Sequence, residues 1–182
     1  VLVEKEAEDF LEKEGFPVAT RYTAVNLKDA ISCSKKLSYP VTLKVISKFI
    51  LHKSDVGGVK LDLRNEEEVK KAFSELQKLK GFEGALIQRF REGRFVLIGL
   101  KEDATFGHAI AFGTGGIYTE VLKDVSFRIC PIEEKDADEM IKETKAYEIL
   151  KGARGQPQIN LTKLKNLLIK FSKLPSKYHN IK

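Results

Sequence analysis

Apolar positions along the chain change their spacing repeatedly, and each change marks a new element. Near the start, Ala7, Phe10 and Leu11 recur at helical spacing, and Gly15 followed by Pro17 stops the run. A second helix is predicted over "NLKDAISCSKKLS", where Leu27, Ala30, Ile31, Ser34 and Leu37 share one side. Pro40 ends it, and "VTLKVI" follows as a buried strand. Further on, Val59, Leu61 and Leu63 alternate with Lys60, Asp62 and Arg64, the pattern of a half-exposed strand. Asn65 then caps a helix, with Glu68 at the capping-box position and Val69, Ala72, Phe73 and Leu76 as its apolar stripe. Helix, strand, strand, helix make a small α+β lobe.

The second half is richer in strands. "GALIQRF" and "RFVLIGLKE" flank a short "REG" connection, which predicts a hairpin. "HAIAFG" and "DVSFRICPI" follow, separated by a glycine-rich turn and a short "IYTEVL" piece. Two helices close the chain. The first carries Ala137, Met140, Ile141, Thr144 and Tyr147, the second Leu161, Leu164, Leu167, Leu168 and Phe171. "KLKGFEG" is the natural boundary, placing an N-terminal lobe at 1–80 and a C-terminal lobe at 81–182.

Composition narrows the class. The 182 residues suffice for one domain or two small lobes. A hydrophobic fraction of 42% with 32% charged residues describes a soluble globular protein, and no apolar run reaches the roughly 20 residues of a membrane span. The acidic, amphipathic start does not read as a signal peptide, so a cytoplasmic location is expected. Cys33 and Cys130 lack metal-ligand spacing and read as reduced packing residues. The net charge of +6 is local: residues 161–182 hold six lysines and no acid, leaving the first 160 balanced. No motif interleaves arginines with aromatics, so nucleic acid is not the expected partner.

Two glycine-rich loops, "HKSDVGG" and "FGTGGIY", hold the candidate chemistry. Paired glycines let backbone N–H groups converge on an anion, and a nearby lysine adds charge. The same pairs also make ordinary turns, and neither loop matches a P-loop or a dinucleotide fingerprint. Lys44 lies inside the apolar "VTLKVI" strand; it either faces solvent or points its ammonium at a nucleotide's phosphates. His52 is either an exposed loop histidine or a nucleophile. Lys53 and Lys60 would supply charge to the second role, with Ser54 or Asp55 orienting the ring. His108 and His179 have no comparable setting.

The stretches "YPVTLKVISKFILHKSDVGGVKLDL" and "GHAIAFGTGGIYTEVLKDVSFRICPI", continued by "AYEILKGARGQPQINLTKLKNLL", resemble the ATP-grasp subunit or domain of ADP-forming acyl-CoA synthetases. These are the acetate–CoA ligases, relatives of succinyl-CoA synthetase. The resemblance covers almost the whole chain. It implies an ATP-grasp fold, two α+β lobes enclosing a nucleotide cleft. It also implies the reaction acyl-CoA + ADP + phosphate ⇌ carboxylic acid + CoA + ATP, carried out with a CoA-binding (alpha) partner subunit.

By the same likeness, an acyl-phosphate forms on the partner subunit and its phosphoryl group passes through a histidine there, with His52 of the "HKSD" motif as a second carrier on the way to ADP. Lys44 is the phosphate-contacting lysine, and Gly57 and Gly58, with Lys53 alongside, form the loop over the phosphates. Gln88, Arg89 and Phe90 fall on the nucleotide-binding hinge strand. Gly113, Gly115 and Gly116 match the second loop, with Glu120 and Asp124 as polar candidates facing phosphate or partner. ATP or ADP and Mg²⁺ are the implied cofactors.

The chain departs from the family pattern in three places. Arg89 stands where the hinge usually has an acid, and Phe95 where the next strand usually has a glutamate. The family's Asn-Pro motif and final aspartate, which together hold Mg²⁺, have no counterpart before Lys182, so no metal ligand is assigned. The expectation is therefore an enzyme subunit seen as a fragment. The alternative is a reduced homologue that binds nucleotide or a partner without catalysis.

Overall fold

The computed structural model describes residues 4–50, 52–116, 124–152, 157–179 and 181. They divide into two compact units, Val1–Glu92 and Gly93–Lys182.

In the first unit the chain runs α1 (Glu4–Lys13), β1 (Arg21–Ala24), α2 (Leu27–Leu37), β2 (Val41–Ile46), β3 (Val59–Leu63), α3 (Glu66–Leu76) and β4 (Gly84–Arg89). The helix starts follow from their caps. Asn26 accepts from the Asp29 N–H at 2.9 Å, and Asn65 accepts from the Glu68 N–H at 2.9 Å. The Glu68 carboxylate accepts from the Asn65 side-chain amide at 2.8 Å and from the Arg64 N–H, one residue before the cap, at 2.8 Å.

The strands form one antiparallel sheet in the order β1-β4-β2-β3. Val41, Leu43, Val45, Ala85 and Ile87 point into a core completed by Ala30 and Leu37 of α2 and Val69, Phe73 and Leu76 of α3. Phe73 meets Phe82 edge-to-face with ring centroids 5.6 Å apart, worth about 0.5–1.5 kcal/mol beyond area burial. The other face of β2 and β4 meets the carboxylates of α1, through Lys44 and Gln88.

The second unit continues with β5 (Val96–Asp103), β6 (Gly107–Thr114), β7 (Val125–Ile129), α4 (Glu134–Glu143), α5 (Ala146–Leu150), α6 (Leu161–Ser172) and α7 (Leu174–Lys177). Its antiparallel sheet has the order β5-β6-β7. Ile110 and Phe112 of β6 are buried with Met140 and Ile141 of α4 and Leu164 and Leu168 of α6. Cys130 is half-buried there, its thiol pushed up to about 11 by burial, and both cysteines are free. A packing role accounts for them.

Four sequence expectations change. The predicted β4–β5 hairpin does not form, because β4 pairs on both edges, with β1 and β2, while β5 pairs with β6. For the same reason the units divide after Glu92 and not at 80/81, since β4 completes the first sheet. The helix expected to run from Ala137 to Tyr147 breaks at Thr144, whose backbone is extended. Finally, the β3 alternation fails: Asp62 takes φ 52°, the register with β2 shifts there, and Leu61 turns outward at 60% exposure. The "IYTEVL" piece lies outside the described residues.

Candidate functional site

β2 alternates strictly enough to decide where Lys44 points. Its neighbours Leu43 and Val45 are fully buried in the core, so the Lys44 side chain leaves by the opposite face. There its Nζ donates to Oε1 of Glu4 at 2.6 Å. Lys53, from the loop after β2, places its Nζ 3.0 Å from the other oxygen, Oε2. One carboxylate thus bridges two ammonium groups brought from separate elements. All three side chains keep about a quarter of their surface exposed (Glu4 27%, Lys44 26%, Lys53 22%). Burial alone would raise the Glu4 carboxyl; the hydrogen bonds and charges of Lys44 and Lys53 outweigh it and hold the group below its ordinary value.

His52 precedes Lys53 directly and is exposed. The loop it opens is closed by its glycines. The Gly57 N–H donates to Ser54 O at 3.2 Å, the Gly58 N–H to Lys53 O at 2.7 Å, and Gly58 O accepts from Val45 N at 2.8 Å. Gly57 has φ +69°, and a Cβ on Gly58 would stand 2.7 Å from Val45 Cγ1 and 2.9 Å from Lys53 O. Both amides are therefore engaged inside the loop. The pair makes a tight turn that seats Lys53 against β2 and leaves His52 outside.

Gln88 is on the Lys44 face of β4 and donates through Nε2 to Glu8 Oε1 at 2.7 Å. Glu8, Asp9 and Glu12 of α1 also surround the guanidinium of Arg21 on β1, whose side chain is only 8% exposed. Sequence reading missed these α1 acids. Their signal was the four-residue spacing of Glu4 and Glu8, which puts both on one helical face. Arg89, the next residue along β4, is exposed, and its Cα partner across the sheet is Val41. It lines a hollow of about 630 Å³ with Phe90, Tyr39, Pro40, Arg64 and Arg91. Arg89 and Phe90 are thus not gathered with Lys44, Lys53 and Gln88.

In the second unit, Gly113 pairs with both Leu97 and Val125. A Cβ there would stand 2.1 Å from the Asp124 carbonyl oxygen, and one on Gly115 would stand 2.7–2.8 Å from the Val96 backbone. The Gly115 N–H donates to Phe95 O at 2.9 Å, and Gly116 has φ +80°. Close backbone approach requires the first two glycines and a left-handed turn the third. Asp124 is buried, accepting from Thr114 Oγ1 at 2.6 Å, Lys145 N at 2.8 Å and Ala146 N at 3.1 Å. Burial opposes its ionisation, yet these three donors hold its carboxyl below the ordinary value. The same contacts cap α5, which explains the break at Thr144. Glu120 lies outside the described residues.

Among the described residues, no three His, Cys, Asp or Glu side chains converge to hold a metal ion. No helix among them is long and apolar enough to cross a membrane.

Comparison with known proteins adds an independent line. The profile of the ATP-grasp domain family matches residues 1–182. The beta subunit of acetate–CoA ligase [ADP-forming] I from Pyrococcus furiosus is 42% identical over 189 residues, covering 100% of this chain and 82% of its own length. The 4-hydroxybutyrate–CoA ligase [ADP-forming] of Nitrosopumilus maritimus is 39% identical over 100% of this chain and 27% of its own. Among solved structures, acetyl-coenzyme A synthetase 1 of Ca. Korarchaeum cryptofilum, with coenzyme A and Ca-AMPCP, superposes with TM-score 0.90 at 40% identity. That match covers 98% of this chain and 81% of the other. The same enzyme with coenzyme A and Mg-AMPPCP, its phosphohistidine segment pointing towards the nucleotide-binding site, gives TM-score 0.82.

Proposed function

The chain belongs to the ATP-grasp domain family, and from that premise we propose that it is the nucleotide-handling subunit of an ADP-forming acyl-CoA synthetase. The reaction is acyl-CoA + ADP + phosphate ⇌ carboxylic acid + CoA + ATP, carried out with a CoA-binding partner subunit. The observation that carries this reading is the convergence of Lys44 and Lys53 on one carboxylate, with the exposed His52 directly preceding Lys53 in the chain. Phosphoryl transfer needs positioning and positive charge more than covalent machinery, and this arrangement provides both.

In this reading the His52 imidazole attacks the phosphorus of the incoming phosphoryl group. A P–N bond to His52 forms as the P–N bond to the first carrier, a histidine of the CoA-binding partner, breaks. The terminal oxygen of ADP then attacks the same phosphorus, and the P–N bond breaks to leave ATP and neutral histidine. Lys44 and Lys53 neutralise the phosphoryl oxygens, and the Gly57–Gly58 turn keeps Lys53 within reach. Gln88 serves the nucleotide from the Lys44 face, Arg89 and Phe90 from the separate hollow they line, and Gly113, Gly115, Gly116 and Glu120 serve the phosphate or partner side. Magnesium accompanies the nucleotide in the solved relative. The described residues offer no cluster for it, and no step is assigned to it.

The test is an assay of the complete subunit that carries this chain, with its CoA-binding partner, acetyl-CoA, ADP, phosphate and Mg²⁺. ATP formation is expected, and His52→Ala should lower turnover by roughly a thousandfold or more without changing thermal stability. An assembled enzyme that forms no ATP, or a His52→Ala variant with full turnover, would overturn the reading. A second reading, nucleotide binding without turnover, is favoured by the carboxylates that α1 places on Lys44, Lys53 and Gln88. ADP binding with no ATP formed would be its signature.

A further inference from the structure

We propose that Glu4 is a specificity-determining residue of the phosphate site: it occupies the two-lysine cradle itself and yields only to a multiply charged phosphoryl group. The proposal rests on the phosphate-binding reading of Lys44 and Lys53 and adds to it the identity of their resident occupant.

Each Glu4 oxygen takes one lysine, Oε1 at 2.6 Å and Oε2 at 3.0 Å, so the carboxylate spans the cradle as two phosphoryl oxygens would. Among the described residues it is the one carboxylate ion-paired to both ammoniums, and it cannot diffuse away, because α1 is anchored further along. Glu8 holds Gln88 at 2.7 Å, and Arg21 gathers Glu8, Asp9 and Glu12. Release needs little, since no residue of α1 is fully buried and Glu4 is in its first turn. A rotamer change of one side chain would clear the cradle.

The chemistry of the competitor follows from charge. A free carboxylate brings the same single charge as Glu4 but lacks its tether, so it loses on effective concentration. A phosphoryl group carries about −1.5 to −2 and three acceptor oxygens, so it displaces Glu4 while an acid substrate does not. Self-occupancy also lowers the apparent affinity for nucleotide by the fraction of molecules in which the cradle is open.

The test measures ADP binding calorimetrically, at low and moderate salt, to the full chain and its Glu4→Gln and Lys44→Ala variants. Glu4→Gln keeps the size and removes the charge. It should tighten ADP at least about fivefold, the scale of a typical coupling between competing occupants, with a steeper loss on adding salt. A helix that merely supports the fold would give unchanged or weaker binding, and that result overturns the proposal. If Glu4→Gln does not fold, Glu4→Asp withdraws the carboxylate on a shorter arm and carries the same expectation. Lys44→Ala separates the two levels. Weaker ADP binding there without tightening by Glu4→Gln sinks only the role of Glu4. No ADP binding by any of the proteins sinks the phosphate site and this proposal with it.

Discussion

Two glycine-rich loops look alike in sequence and do different work. In the first, Gly57 and Gly58 make a turn whose product is the placement of side chains: Lys53 beside Lys44, and His52 outside. In the second, Gly113 and Gly115 let strands approach until a Cβ would collide with backbone, and the buried Asp124 spends its carboxylate on a hydroxyl and two amides. The first loop presents charge; the second consumes it. A glycine pair therefore signals close backbone approach, and chemistry is signalled by whether the neighbouring charges remain half-exposed.

That contrast can be broken by substitutions that should damage stability in one loop and spare it in the other. The largest effect is expected for Asp124→Ala, which removes a buried acceptor from Thr114 and strands the Lys145 and Ala146 N–H groups. Urea unfolding should show a loss of about 3–5 kcal/mol. The stabilisation also carries a pH signature. Because the folded carboxyl is held below 3.8, it is fully present above that value and is lost as pH falls through the lower folded value. An acid-unfolding profile unaltered by Asp124→Asn would contradict this.

Next comes Gly113→Ala, where the added methyl would meet a backbone oxygen at 2.1 Å; about 2–3 kcal/mol should be lost on the same denaturant scale. Gly57→Ala should be mildest. Its positive φ costs about 1 kcal/mol, while its nearest neighbour is the movable Lys60 Nζ at 3.9 Å. Equal losses at Gly57 and Gly113 would erase the distinction between the loops.

Legibility in the sequence followed the range of the interactions involved. Asn26 and Asn65 cap helices three residues away from their partners, so α2 and α3 were readable from local pattern. The two-lobe α+β architecture and the family likeness were readable as well. The partners of β4 were not, since β1 and β2 compete for its edges with a nearby strand that only looks like a hairpin mate. The break at Thr144 depends on a carboxylate at Asp124 that reaches the two residues beyond it. Lys44 was legible as a candidate, but its occupant was not, because Glu4 comes from the far end of the unit's sequence.

The kink at Asp62 changes what the outer edge of the sheet offers to an extended neighbour. β3 is an outer strand of its sheet, and a flat outer strand offers unpaired amides and carbonyls to any extended neighbour. The left-handed turn at Asp62 breaks the regular repeat of those groups, and Lys60, Asp62 and Arg64 set charges around the single outward Leu61. A second molecule approaching edge-on finds no straight run to zip against. The same irregularity that defeated the alternation along this strand interrupts the pairing groups on the outer edge of the described sheet.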